Sequence, residues 1–135
     1  MSMRRVLPLA VLLVLAAMAP GARADKTPAP PKLGATLESC LTSALPVERV
    51  ASFVASMPAY APATRMRIRF DLERRRPGER YWRRVHAAGF GVWERSDPRV
   101  AGFIVRKRVN GLPVPASYRA VVRFRWIAAD GSVVR

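Results

Sequence analysis

The sequence has a single histidine, His86, and a single cysteine, Cys40. With one residue of each type, the chain cannot build a metal site from several histidines or cysteines, or a framework of internal disulfides. No cysteine, aspartate or serine lies beside His86 in the sequence. A Gly-x-Ser-x-Gly motif and a phosphate-binding glycine loop are also missing. We therefore expect a protein that is not an enzyme and that needs no metal and no cofactor.

Acidic residues are scarce, with 9 Asp and Glu against 24 Lys and Arg. The first 24 residues contain three arginines, Arg4, Arg5 and Arg23, and no acidic residue. Removing that segment lowers the number of basic residues from 24 to 21. The remaining domain is strongly cationic. Its charge favours anionic envelope polymers, acidic glycans or lipid headgroups as partners. An arginine-rich codon bias would produce the same composition.

Residues 1–24 have the pattern of a cleavable signal peptide. Arg4 and Arg5 precede an apolar run over 6–19, and Ala22-Arg23-Ala24 provides a small-residue cleavage site. The run of 14 residues is shorter than the roughly 20 that a membrane-spanning helix needs, so we expect no stable membrane span. We predict a secreted, extracytoplasmic protein cleaved after Ala24. In that location nucleic acid is not an expected partner.

A proline-rich linker over 25–32 precedes the part of the chain that can fold. We expect this linker to be extended and unpacked. The domain then spans 33–135, about a hundred residues, which is enough for a two-layer core and too few for a large enzyme scaffold. Because 132–135 has the pattern of a beginning strand, we also expect the domain to be truncated at its C-terminus.

Two segments alternate between apolar and charged residues, the pattern of strands with one buried face. Over 66–73 every even position is apolar and every odd position charged, and over 118–127 the even positions are apolar as far as 126. Weaker candidate strands are 33–41, 49–57, 81–85, 91–94, 100–109 and 132–135. We predict an all-β antiparallel sandwich. Its expected core consists of Met66, Ile68, Phe70, Leu72, Phe103, Val105, Tyr118, Val122, Phe124 and Trp126.

Turn residues separate these segments. Pro77-Gly78 suits the centre of a type II turn, Asp97-Pro98 the start of a turn, and Asp130-Gly131 a type I′ hairpin.

The segment Leu112-Pro-Val-Pro-Ala-Ser-Tyr118-Arg-Ala-Val-Val122-Arg-Phe124 resembles the entry into strand F of fibronectin type III and related immunoglobulin-like domains. The resemblance implies a sandwich of about seven strands. It also implies that the Tyr118 hydroxyl hydrogen-bonds to the backbone upstream. The chain departs from the usual pattern by carrying two intermediate prolines, Pro113 and Pro115.

Residues 33–135 as a whole are also similar to uncharacterised exported immunoglobulin-like proteins of high-GC bacteria. The similarity is carried by Trp-Arg-Arg-Val through Gly-Val-Trp-Glu-Arg-Ser-Asp-Pro, within 82–98. In that group an early cysteine pairs with one near the C-terminus, which implies a disulfide partner for Cys40 outside this sequence. From the residues alone, Cys40 is either buried, paired between chains, or paired with such a missing cysteine.

In an immunoglobulin-like topology the strands over 66–73 and 118–127 are neighbours in one sheet. Their outward residues then form one basic face, softened toward one end by Asp71 and Glu73. Arginine forks suit phosphate and carboxylate oxygens, so we hypothesise that this face binds an anionic ligand. An ordinary solvated face is the alternative. The candidate binding residues are Arg67, Arg69, Arg119, Arg123 and Arg125.

The basic hairpin over 74–80 and the three tryptophans are the other features of the sequence that could take part in binding. The basic hairpin over 74–80 is interpreted as a solvated loop. Trp126 is expected in the core; for Trp82 and Trp93, core packing is favoured over exposed sugar-stacking positions.

The sequence thus favours an exported, non-enzymatic binding or structural module, whose partner is an anionic polymer, a glycan or another protein. A small secreted enzyme using His86 and a cationic membrane-active protein remain as alternatives.

Overall fold

The computed structural model describes residues 27–135, so the predicted signal peptide lies outside the described residues. This part contains seven strands and one short 3₁₀ helix, Pro46–Glu48. All of the regular structure apart from that helix is β, as the alternation predicted. The strands are β1 Gly34–Leu41, β2 Val50–Pro58, β3 Arg65–Arg75, β4 Arg83–Arg84, β5 Trp93–Arg95, β6 Gly102–Asn110 and β7 Ser117–Ile127.

The strands form two antiparallel sheets. The first has the order β1-β2-β6. In the second, β7 pairs with β3 along its whole length, from Arg65 opposite Ile127 to Arg75 opposite Ser117. The strand β7 occupies one edge of β3. The other edge of β3 is shared by β4 and β5, each of which pairs with a different part of it. The second sheet is therefore at most three strands wide at any level.

The predicted alternation in β3 produces the two faces of the second sheet. Its even-numbered apolar residues are at most 3 % exposed and face the first sheet. Trp126 lies on the same side of β7 and is 4 % exposed. Its indole N–H donates to the carbonyl of Pro58 at the end of β2, 2.8 Å away, which ties the two sheets together.

The core is only partly the predicted one. Met66, Ile68, Phe70, Leu72 and Trp126 are buried as expected. The prediction placed five further residues in the core, and these are only half-buried at its margin: Phe103, Val105, Tyr118, Val122 and Phe124. The first sheet supplies its part through residues that the prediction omitted, mostly from β2: Ala51, Phe53, Ala55, Met57 and Val109.

Phe90 completes the core from a loop. The chain leaves the sheet between β4 and β5, and Phe90, 6 % exposed, packs inward between the sheets. Its ring meets those of Phe53 and Phe70 edge-on, with centroids 6.2 and 6.3 Å away. The N–H of Gly91 donates to the carbonyl of Phe70 at 2.7 Å and fixes this loop on β3.

Several weaker predictions need correction. The predicted strand 81–85 shortens to β4, and 132–135 forms only an isolated bridge between Val133 and Ile127. Asp130-Gly131 is not a type I′ turn, because only Gly131 has a positive φ, +89°. The Gly131 N–H donates to the carbonyl of Ala128 instead, as in a type I turn followed by a glycine bulge.

The linker is attached at its end. Pro31 is half-buried, with its ring against Gly102, and the Ser56 hydroxyl donates to the carbonyl of Lys32 at 2.6 Å. The expectation of an unpacked linker is therefore wrong for its last two residues. No helix within 27–135 has the length and hydropathy needed to cross a bilayer.

Candidate functional site

The outer face of the second sheet carries all five predicted arginines. In the register of β3 and β7, Arg67 lies opposite Arg125 and Arg69 lies opposite Arg123. Arg119 lies opposite Glu73. Directly opposed residues of an antiparallel pair project on the same face, with Cβ atoms about 4.5–5.5 Å apart. The structure thus brings the five side chains together, but it gives them different surroundings.

Asp71 holds three arginines in what we call the Asp71 cluster: Asp71, Arg69, Arg84 and Arg123. The Asp71 side chain is fully buried. Arg69 donates to its Oδ1 through Nη2 at 2.9 Å and through Nε at 3.1 Å. Arg123 donates to Oδ2, and Nε of Arg84 lies 3.6 Å from Oδ1. Two of the predicted binding residues, Arg69 and Arg123, therefore already share a carboxylate.

A third predicted residue, Arg119, is also paired. Its Nη2 lies 2.7 Å from Oε2 of Glu73, and its guanidinium carbon lies 4.5 Å from the ring centre of Trp82. Arg75 approaches the same ring at 4.9 Å. The two acids were predicted to soften one end of the basic face. They instead pair with three of its five arginines.

The arginines left over form a line across three strands, which we call the arginine row: Arg95, Arg67 and Arg125. Arg67 on β3 lies opposite Arg95 on β5 and opposite Arg125 on β7. Among residues 27–135 none of the three forms an ion pair with a carboxylate. The Nε of Arg67 is buried, and no hydrogen-bond partner for it lies in the described part of the chain.

Trp93 supports one end of the row. The guanidinium carbon of Arg125 lies 4.4 Å from the centre of the Trp93 ring, within cation–π distance. Trp82 has the same relation to Arg119. Both indoles are half-buried and belong to the outer face, so the expectation that Trp82 and Trp93 fill the core is wrong. Trp82 instead lies within cation–π distance of Arg75 and Arg119, and Trp93 within that distance of Arg125.

The electrostatic arrangement of the row is unfavourable by itself. Like charges directly opposite each other destabilise a sheet. At about 5 Å the repulsion of two unit charges is about 1 kcal/mol in water, and it rises where the surroundings exclude water. The arrangement can accept an anion, because three neighbouring forks present donors on one side.

Arg95 was not among the predicted site residues. The predicted strand ended at 94, whereas β5 spans Trp93–Arg95. The alternation Trp93-x-Arg95 was the signal that would have found it. Residues two apart in a strand project on the same face, so Trp93 and Arg95 share one face of β5, and the pairing with β3 makes it the face of Arg67 and Arg69.

The basic hairpin over 74–80 forms a closed turn. The carboxylate of Glu79 accepts the backbone N–H of Arg76 at 2.8 Å. This hydrogen bond, helped by the charges of Arg74 and Arg76, lowers the pKa of Glu79 below 4.5. Gly78 has φ +81°, as a type II turn centred on Pro77-Gly78 requires. These contacts fit the interpretation of the hairpin as a solvated loop.

His86 and Cys40 are both exposed. His86 lies in the loop after β4 and lines shallow depressions beside Arg74, Arg84 and Arg108. Cys40 is a free thiol near the end of β1. Within the described residues no three side chains of His, Cys, Asp or Glu come together to hold a metal ion.

Comparisons with known protein families, with curated proteins and with solved structures found no match to this chain.

Proposed function

We propose that this protein is an exported, non-enzymatic module that binds anionic polymers of the cell envelope or acidic glycans through the arginine row. The observation that carries the proposal is the alignment of Arg95, Arg67 and Arg125 without a carboxylate in the described part of the chain. Elsewhere on the same face Arg69, Arg84 and Arg123 share the carboxylate of Asp71, and Arg119 pairs with Glu73. An external anion would satisfy the row in the same way.

Polymers fit this surface better than small anions do. The row crosses three strands spaced about 4.8 Å apart, so its donors extend over about 10 Å. Arg119 and Arg123 lie further along β7, each only half-exposed and each already paired. A chain of repeated phosphate, sulfate or carboxylate groups can follow the row and continue along β7, whereas a single anion reaches one or two forks.

We also propose an immunoglobulin-like fold of the fibronectin type III kind for the domain. The Tyr118 hydroxyl donates to the carbonyl of Pro113 at 2.6 Å, the upstream hydrogen bond that the resemblance implied. The division of the strands into β1-β2-β6 and a sheet built around β3 and β7 supports the same proposal. Such folds commonly present binding surfaces on a rigid frame.

The test is binding to heparin and to teichoic acid at low and high salt. We compare the wild-type chain with Arg67→Gln/Arg125→Gln. The matched control is Arg106→Gln/Arg108→Gln, which removes the same charge from β6 in the other sheet. The row variant should bind at least about tenfold more weakly, about 1.4 kcal/mol, and the control should retain most of the affinity.

High salt should weaken the wild-type complex, because screening acts on exposed charges. An absence of binding at low salt would refute the proposed function. An equal loss in the two double variants would show that only net charge matters and would remove the special role of the row.

A further inference from the structure

A cleft with a volume of about 450 Å³ opens beside His86, at the end of the sandwich where β3 and β6 finish. The loop after β4 contributes His86 and Ala88 to its lining, and the end of β6 contributes Arg108. The inner face of β3 contributes Leu72 and Arg74. No residue of 126–135 lines it. We call this space the His86 cleft; its volume is in the range of about 300–1,000 Å³ that is usual for ligand clefts.

Arg74 carries a charge on the inner face of β3. The apolar residues of this strand face the first sheet, and Leu72, 1 % exposed, is the last of them. Residues two apart in a strand project on the same face, so Arg74 continues this inner row at the end of the core. The residue opposite it on β7 is Tyr118, which also lines the cleft. A charge at such a place needs an anionic or hydrogen-bonding partner, because burial without one is costly.

The described part of the chain provides no anionic partner for Arg74. Within 27–135 Arg74 forms no ion pair, and its Nε is buried without a hydrogen-bond partner. The residue opposite it on β4 is Arg83, and like charges in that relation destabilise a sheet. Glu79 of the adjoining hairpin accepts the backbone N–H of Arg76 instead. No aspartate or glutamate of the described residues lines the cleft, so an anion from outside would meet only positive charge there.

The cleft also presents apolar side chains. Val85, Val109 and Leu112 line it, and Val109 is 9 % exposed. The Tyr118 hydroxyl donates to the carbonyl of Pro113 at 2.6 Å, which ties the loop after β6 to β7. This part of the wall is therefore held in place before a ligand arrives. Apolar walls with a few converging polar groups are typical of sites for small molecules.

We propose that the His86 cleft binds a small amphiphilic anion, a molecule with one carboxylate or phosphate group on an apolar body. The oxyanion would accept hydrogen bonds from the guanidinium of Arg74, with the imidazole of His86 as a further donor. The apolar body would lie against Val109 and Leu112, where its removal from water favours binding. The bound charge would also offset the repulsion between Arg74 and Arg83.

This site differs from the arginine row in position and in the ligand that it suits. The row lies on the outer face of the second sheet, whereas Arg74 projects on the inner face. Three forks in line on an open face suit the repeated charges of a polymer. A single inward guanidinium beside apolar side chains suits one charged group attached to an apolar body.

The test uses the untagged full chain, in which the imidazole signals belong to His86 because the sequence has one histidine. Their shifts in an NMR titration therefore report on this cleft. The probes are 3-phenylpropionate and phenyl phosphate, titrated at constant pH. Inorganic phosphate supplies the charge without the apolar body, and 3-phenylpropanol supplies the apolar body without the charge.

Two variants change the cleft, and each has a matched control. Arg74→Gln removes the inward charge, and Arg76→Gln removes the same charge from the hairpin outside the cleft. Ala88→Asp adds a carboxylate at the cleft, and Ala101→Asp adds one in the loop before β6. Ala88 and Ala101 are both exposed, so neither substitution disturbs the core. This second pair keeps the test decisive even if Arg74→Gln does not fold.

Both amphiphilic anions should shift the His86 signals in a saturable manner. Inorganic phosphate and 3-phenylpropanol should bind at least about tenfold more weakly than the amphiphilic anions. Arg74→Gln and Ala88→Asp should each lower the affinity for those anions at least about tenfold, and the two control variants should stay within about twofold of wild type. The anion that binds more tightly identifies the preferred group as carboxylate or phosphate.

Three results would overturn the proposal. Equal affinities for inorganic phosphate and phenyl phosphate would show that the apolar walls contribute nothing. Equal losses in a cleft variant and its control would show that only net charge matters. An absence of saturable shifts with both amphiphilic anions would show that the cleft binds neither. None of these results bears on the binding of heparin by the arginine row, so the two proposals fail separately.

Discussion

The buried carboxylate of Asp71 allows a test in which stability and binding move in opposite directions. Asp71→Asn keeps the shape of the side chain and removes the charge that holds Arg69, Arg84 and Arg123. We expect the domain to become less stable and to bind anionic polymers more tightly. The second effect follows because these three arginines of the outer face lose the carboxylate with which they now pair.

The magnitude follows from burial. Breaking a buried ion pair costs about 3–5 kcal/mol when the remaining charge stays buried. Asp71 has a fully buried side chain, whereas those of Arg69, Arg123 and Arg84 are 25 %, 47 % and 55 % exposed. Water can therefore solvate the released guanidiniums, and we expect a smaller loss of about 2–3 kcal/mol. For a domain of this size that corresponds to a fall in Tm of roughly 10–20 °C.

The assay combines thermal unfolding with the heparin titration at low salt. Asp97→Asn is the matched control, since it makes the same charge change at an exposed residue that forms no ion pair within 27–135. The control should alter stability by no more than about 0.5 kcal/mol. Heparin affinity should rise at least about threefold in Asp71→Asn relative to that control.

Equal stability of the two variants would refute the reasoning about the Asp71 cluster. A fall in heparin affinity in Asp71→Asn, measured below its Tm, would show that Arg69 and Arg123 need their carboxylate in order to bind. In that case the division of the face into occupied and available arginines would be wrong.

Three further predictions concern the domain. Burial raises the pKa of Tyr118 above 10.0, so its contribution to stability is present below pH 10 and is lost as the pH rises through the folded pKa. Tyr118→Phe also loses the hydrogen bond to the carbonyl of Pro113, and it should cost about 1 kcal/mol of unfolding free energy at neutral pH. In urea unfolding, the variant should also lack the part of the alkaline destabilisation that Tyr118 causes. Hydrogen bonds from the hydroxyl and N–H of Ser132 lower the pKa of Asp130 below 3.8. The contribution of Asp130 to stability is therefore lost only as the pH falls through that lower value. Ser132→Ala should raise the pKa of Asp130 toward 3.8 in an NMR titration, and an unchanged pKa would contradict the contact. Phe90→Ala should destabilise the domain by about 3–5 kcal/mol in the same urea assay, and a loss below 1 kcal/mol would mean that the loop can vacate the core at little cost.

The alternation over 66–73 and 118–127 was sufficient to predict β3, β7 and the side that each turns outward. It was sufficient because successive side chains of a strand point to opposite faces of the sheet, so that a strand with one buried face has a period of two that is directly visible in the sequence. That the five arginines share one face follows once the two strands are neighbours in a sheet; the register that sets Arg67 opposite Arg125 does not follow from it. That the two strands are neighbours came from the resemblance and not from the alternation.

The pairing of charges could not be predicted in the same way. Whether Asp71 meets one arginine or three depends on register and on the short β4 strand, which carries Arg84 through only two residues of pairing. The contribution of β2 to the core was not predicted, because Ala51 and Ala55 are small and only weakly hydrophobic, although both are buried. Phe90 lies in a glycine-flanked loop, where no periodicity indicates its direction.

The central claim is that the arginine row is the first contact of an anionic polymer. The most direct measurement follows the side-chain Nε–H signals of the arginines by NMR during titration with a heparin oligosaccharide. The signals of Arg67, Arg95 and Arg125 should shift at the lowest ligand concentrations, before those of Arg106 and Arg108. Earlier or equal shifts of Arg106 and Arg108, or of the hairpin over 74–80, would contradict the claim.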